Sequence, residues 1–187
     1  APLLGVALGV DAINAERSQG TLSRLISQPI HRDAVLQGKF LAGLSIVTLA
    51  LTAIVVIVAG VGLALLGVPP AAEEILRLIV WILVTALYVG FWLAVAQLFS
   101  VVFKQAATSA LASIAVWLFF TIFFGLLLGL FVNAVAPAGT GATDLQVLRH
   151  EQLTDQLGRL SPVTLYSEAT AALLDPTVRS LGVLVGS

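Results

Sequence analysis

The chain has 187 residues, of which 59% are apolar and 10% charged, with a formal net charge of −1 and no cysteine. A soluble domain carries roughly 25% charged residues, so this chain has too few charges to coat a water-facing surface. It also lacks the clustered Lys and Arg that neutralise nucleic-acid phosphates, and without cysteine it has no disulfides, thiolate catalysis or Cys-type zinc sites.

In chain order, the first segment, 1–14, is apolar but has no basic n-region of the kind a signal peptide carries. It reads as the end of a transmembrane helix, and the chain as an internal piece of a longer protein. Segment 15–39 is polar and is taken up below. Crossing ~30 Å of hydrocarbon takes about 20 apolar residues in a helix. Three charge-free runs meet that length: 40–67, closed by Pro69-Pro70; 78–103, closed by Lys104-Gln105; and 106–136, closed by Pro137. Helices are expected, because in lipid the backbone must satisfy its own hydrogen bonds, and none of the runs alternates as a barrel strand does. The fold class is therefore all-α, a polytopic transmembrane bundle of three full spans plus the end of a preceding one.

Segment 137–187 is expected to form two or three short amphipathic helices against or dipping into the membrane face. Thr143 or Asp144 would cap a helix with Leu145, Leu148, Leu153, Leu157 and Leu160 at near-helical spacing. Ser161-Pro162 and Asp175-Pro176 each pair an N-cap with Pro at the first helical position. Sidedness follows from charge. Segment 15–39 carries Arg17, Arg24, Arg32 and Lys39 against Glu16 and Asp33. The 68–77 segment and the tail from 137 are net acidic. The positive-inside rule puts 15–39 and 104–105 in the cytoplasm and 68–77 and 137–187 outside.

Within the spans, small residues recur at Gly60 and Gly62, at Gly90 with Ala94 and Ala96, and as the G-x-x-x-G of Gly125 and Gly129. Such spacing suits close helix contacts, inside one subunit or between two. Trp92 and Trp117 read as packing residues, with substrate lining as the alternative.

The polar segment is too long for a plain helix connection, which runs 2–8 residues. Gly20 can end or redirect the helix leaving the membrane, and Thr21 can cap a new one. Leu22, Leu25 and Ile26 share one face, Pro29 closes the turn, and Asp33 sits at the start of the next helix, where a carboxylate suits the dipole. A short amphipathic helix of this kind either lies among lipid headgroups or docks in a groove on a cytoplasmic partner.

The pattern Glu16-Arg17-x-x-Gly20-Thr21-Leu22-x-x-Leu25-x-x-x-Pro29-x-x-Arg32, followed by Gly38-Lys39, resembles the signature of type 2 ATP-binding-cassette (ABC) permeases. The resemblance is nearest to the branch that includes the permease of the nitrous-oxide reductase maturation system. Leu160-Ser161-Pro162 with Leu165-Tyr166 also resembles the segment these permeases carry outside, before their last span. The resemblance implies a six-span permease subunit of an ATP-driven exporter in a prokaryotic cytoplasmic membrane. It also implies a second permease subunit, homo- or heterodimeric, and a separate ABC ATPase subunit that holds ATP and magnesium. Glu16, Arg17, Gly20, Thr21, Leu22, Leu25, Ile26, Pro29 and Arg32 would then form the coupling segment that contacts the ATPase.

Other chemistry finds little support. There is no P-loop, so any ATP hydrolysis belongs to a partner. The spans hold neither His nor Asp for an intramembrane protease, and Ser45, Ser100, Ser109 and Ser113 read as packing residues. Ion-coupled transport wants ionisable groups at mid-membrane, and the three full spans have none. His31 and His150 fall on opposite sides, with His150-Glu151 at most a weak metal contact. The alternative to a permease is a membrane anchor or assembly subunit of an envelope complex.

Overall fold

In this computed structural model, the described residues are 2–21, 32–67, 69–137 and 143–174, without the side chains of Arg32 and Leu66. Helix α1 spans Pro2–Ser18, α2 Arg32–Leu66 and α3 Ala72–Val102. Then come α4 (Ala106–Leu118), a π-helical turn (Phe119–Phe123) and α5 (Phe124–Val135), which together form one long helix. Helices α6 (Asp144–Gly158) and α7 (Pro162–Leu174) complete the described chain. Among the described residues there is no strand. Three helices, Asp33–Leu65, Ala72–Val102 and Ala106–Val135, are long and apolar enough to cross a membrane. Each outlasts the ~20 residues a bilayer requires, so they cross tilted or project beyond the hydrocarbon.

The core lies along α3. Its face from Thr85 to Ser100 is buried, with Trp92 at 0% exposure. Helix α1 supplies the opposing face through Gly5, Val6, Gly9, Val10 and Ile13. The two backbones nearly touch. A Cβ on Gly5 would stand 2.5 Å from the Val89 carbonyl oxygen, and one on Gly9 would stand 2.6 Å from the Ala96 Cβ and 2.7 Å from the Leu93 oxygen. This close approach is the use of small-x-x-x-small spacing in membrane helices, where packing replaces the hydrophobic drive. Helix α2 joins by setting Leu44 and Phe40 against Gly90, and Gly43 against Leu93. Trp92 meets Tyr88 edge-on and Phe91 likewise, and Trp117 packs against the same cluster.

The small residues named from the spans divide. Gly90 and Ala96 sit in the core, whereas a Cβ added at Gly60, Gly62, Gly125 or Gly129 would meet nothing within 4 Å in this chain. Ser100, Ser109 and Ser113 are fully buried, and Ser113 Oγ donates to the Ser109 carbonyl. Ser45 is exposed and donates to Leu41 one turn back. Thr48 and Thr52 do the same to Leu44 and Thr48, so these hydroxyls carry no unsatisfied donor into lipid. The π turn is not foreshadowed by the hydropathy of its run. It is held by the Phe124 amide donating to the Phe119 carbonyl, and such turns often mark functional positions inside helices.

Beyond Pro137, α6 turns back along α5. A His150 ring nitrogen lies 2.8 Å from the Ala136 carbonyl oxygen, and Gly158 faces Leu128. The Gln146 side chain accepts from the Thr143 amide, the reciprocal half of a capping box. Helix α7 then rises against α3, with Tyr166 stacked on Tyr88 at 4.2 Å and within 3.2 Å of the Thr85 hydroxyl. Ser161 occupies the position before Pro162, yet its Oγ is buried without a protein partner, so it caps α7 by place and not by a side-chain bond. Asp175-Pro176 lies outside the described residues.

If the α1–α3 contact holds the fold, Gly9→Val lowers the thermal stability of detergent-solubilised protein by about 1–3 kcal/mol or more, the range for overpacking. Gly125→Ala leaves it unchanged. Thermal unfolding of the two variants side by side checks this, and equal melting would contradict the packing assignment.

Candidate functional site

Helix α1 continues past Asn14 to Ser18, which places Glu16 and Arg17 in its last turn. Gly20 ends it with φ +68°, the left-handed conformation that glycine adopts without strain. The Gly20 amide donates to the Arg17 carbonyl and the Thr21 amide to the Glu16 carbonyl, the paired bonds of a Schellman closure. Thr21 Oγ1 also donates back to the Glu16 carbonyl at 3.3 Å. Thr21 is thus part of the closure of α1. Leu22, Leu25, Ile26 and Pro29 lie outside the described residues, as does His31. Arg32 is the first residue of α2, and Asp33 stands in its first turn.

What the structure brings together is the end of α1 with α2 and with the end of α3. Lys39 Nζ sits 2.5 Å from Glu16 Oε1 and donates to the Ala12 carbonyl. The pair is half-buried, at 29% and 18% side-chain exposure, and Glu16 Oε2 has no protein partner. Arg17 donates to the Phe103 carbonyl at 3.0 Å and to Asn14 Oδ1 at 3.4 Å. Phe103 is the extended C-cap of α3, just before the Lys104-Gln105 turn. One turn further in, Ser100 Oγ accepts from the Ile13 and Asn14 amides at 3.1 and 3.2 Å.

The electrostatic logic is consistent. Helix C-termini carry partial negative charge, and a cation there contributes about 0.3–1 kcal/mol, more when partly buried. Arg17 serves both its own helix end and that of α3, while Lys39 serves α1 and neutralises Glu16. Beside this corner lies an open cavity of about 470 Å³ where Asp11, Asn14, Arg17, Ser18, Lys104 and Gln105 alternate with Ala15, Ala106 and Ala107. Among the described residues no group of three or more His, Asp or Glu could hold a metal ion.

Of the residues the sequence singles out, Glu16, Arg17, Gly20 and Thr21 meet at the end of α1. Lys39 belongs with them, and its motif position marks it. Asn14, Ser100 and the Phe103 carbonyl are the additions that sequence alone does not reveal. Ser100 lies 87 residues from Ile13, and nothing in its own neighbourhood distinguishes it from Ser45.

The profile of a family described as ABC-2 family transporter protein matches residues 1–180. No curated protein and no solved structure matches the chain.

Lys39→Met removes two charge-assisted bonds and leaves the Glu16 carboxylate half-buried and alone. The expected loss is about 1.5–3 kcal/mol of stability per bond to a charged group, read by thermal unfolding. Adding Glu16→Gln should recover part of it, and a double-mutant cycle without coupling would show that the pair does not hold the corner.

Proposed function

The chain belongs to the ABC-2 transporter family, and from that premise we propose that it is a permease subunit whose 15–39 segment receives force from a separate ABC ATPase. The family implies an ABC ATPase partner in general. In the proposed assembly two permease subunits, alike or different, stand with two ATPases that hold ATP and magnesium. The cargo is exported across a prokaryotic cytoplasmic membrane, with 15–39 on the cytoplasmic side. The match is to the ABC-2 family as a whole, and the narrower resemblance to the nitrous-oxide reductase maturation permease rests on the Glu16–Lys39 motif.

The observation that carries this reading is the anchored corner. The 22–31 stretch is tethered at one end by α1, closed at Gly20, and at the other by α2, which begins at Arg32. Both attachments are tied together by Glu16–Lys39, and α1 is tied to the end of α3 by Arg17 and Ser100. A push on that stretch therefore moves three helices as one body. Loose helices joined by a flexible loop would absorb the same push locally. The tight α1–α3 contact extends the rigid body some way into the membrane, past Gly5.

Charge reversal at Arg17 (Arg17→Glu) sets a carboxylate against the Phe103 carbonyl. We expect the full-length protein to insert and to retain its ATPase partner, while ATP hydrolysis no longer drives transport. The measurement is ATPase rate against transport in proteoliposomes. Wild-type coupling in this variant, or purification of the full-length protein with no P-loop ATPase, would sink the proposal, and the latter would favour a membrane anchor.

A further inference from the structure

Buried polar side chains are nearly always hydrogen-bonded, because leaving one unpartnered in apolar surroundings is costly. Gln97 departs from that rule. It lies on the buried face of α3 with only 7% of its surface exposed. A carboxamide has two N–H donors and a carbonyl acceptor, yet the Gln97 side chain bonds to none of the described residues. The polar groups around it are already engaged. Ser100, one turn on, accepts the Ile13 and Asn14 amides. Lys39 is held by Glu16 and the Ala12 carbonyl. Helix α1 lies against the Gln97 backbone, where a Cβ on Gly9 would stand 3.1 Å from the Gln97 nitrogen.

Gln97 instead lines an open groove of about 410 Å³ between α2 and α3. Phe40, Ala94, Leu98 and Val101 supply apolar walls, and Gln37 is the other polar residue of the lining. Gln37 is exposed and Gln97 buried, so one amide stands at the rim and one at the floor. Lys39 falls between Gln37 and Phe40 in the sequence, which sets the groove level with the Glu16–Lys39 pair. Lysines near helix ends reach the membrane interface, and in that region the glycerol esters of lipids meet their acyl chains. No charged residue lines the groove, so it has no partner for a phosphate or an ammonium group. It suits a neutral hydrogen-bond acceptor flanked by aliphatic carbon, and an ester carbonyl with its acyl chain is that combination.

We propose that this groove is a binding site for a phospholipid of the leaflet at the Lys104 end. One ester carbonyl accepts from the Gln97 amide, and the acyl chain lies along Phe40, Ala94 and Leu98. The lipid bridges α2 and α3 where their own side chains leave a gap. It is a resident lipid and not the cargo. The inference rests on the membrane placement of the chain and is independent of ATP coupling.

The test titrates delipidated full-length protein in detergent with dioleoylphosphatidylcholine or with its dialkyl-ether analogue, and counts bound lipid by native mass spectrometry. The two lipids share headgroup and chain length and differ in the ester carbonyls. The first diester lipid is expected to bind several-fold tighter than the first diether. Gln97→Leu, similar in size and with no protein bond to lose, is expected to erase that preference. Ala94→Phe fills the groove from an exposed position and keeps Gln97, and is expected to weaken the first diester site several-fold. Equal affinity of the unaltered protein for the two lipids overturns the proposal, as does an ester preference that survives Gln97→Leu. Absence of any tight first site would mean that water or the rest of the full-length chain bonds Gln97, with the same consequence. Should Gln97→Leu fail to fold, Ala94→Phe decides, and an unchanged first site in that variant overturns the proposal.

Discussion

Two glycines on α1 let its backbone rest against that of α3, and most of the other contacts follow from that approach. With a methyl group at Gly5 or Gly9 the helices would separate. Ser100 could then no longer reach the Ile13 and Asn14 amides, and Arg17 would lose the Phe103 carbonyl. In lipid the apolar side chains gain little by leaving the solvent for each other, so association depends on such close packing and on a few hydrogen bonds. The core is accordingly narrow, a seam of α1 and α3 with α2 and α4 on its flanks. Much of the C-terminal half of α2 and of the long 106–135 helix remains exposed in this chain.

The scarcity of charge gives the few charged groups distinct places. At the Lys104 end, Arg17 answers the carbonyl that closes α3, Lys39 reaches the Ala12 carbonyl six residues before the end of α1, and Glu16 pairs with Lys39. These bonds join the ends of α1 and α3 to α2 at a point seven residues into that helix. At the opposite end Glu74 accepts the Ala71 amide at the start of α3, where an acid suits the dipole, and Arg77 pairs with Glu73 one turn on. Under the proposed coupling role, such a joined end at Lys104 is what would carry a push from one helix to the next. The π turn at Phe119–Phe123 interrupts the regular bonding of the last span near its middle, so stiffness is not uniform along the bundle.

The two polar regions lie at opposite ends of the seam and differ in kind. The corner at the Lys104 end is made of bonds between elements and is largely satisfied. The α6–α7 hairpin joins the seam through aromatic stacking and one hydroxyl contact, Tyr166 on Tyr88 and Thr85, and keeps its charged side turned away from its own chain. Trp92, fully buried between them, belongs to the packing of the seam.

Hydropathy along the chain was enough to establish an all-α membrane protein with three complete spans, because partitioning into lipid is decided segment by segment. The Glu16–Lys39 pattern was likewise legible, as was the break at Gly20, since a turn that needs positive φ is a local matter. Which glycines carry the packing was not legible. Gly125 and Gly129 have the same spacing as Gly5 and Gly9, and only the second pair meets another backbone. The Glu16–Lys39 bond, the reach of Arg17 to Phe103 and the stacking of Tyr166 on Tyr88 were equally hidden. Each depends on residues far apart in the chain arriving at one place, and a one-dimensional pattern records what a segment prefers, not which neighbour it finds.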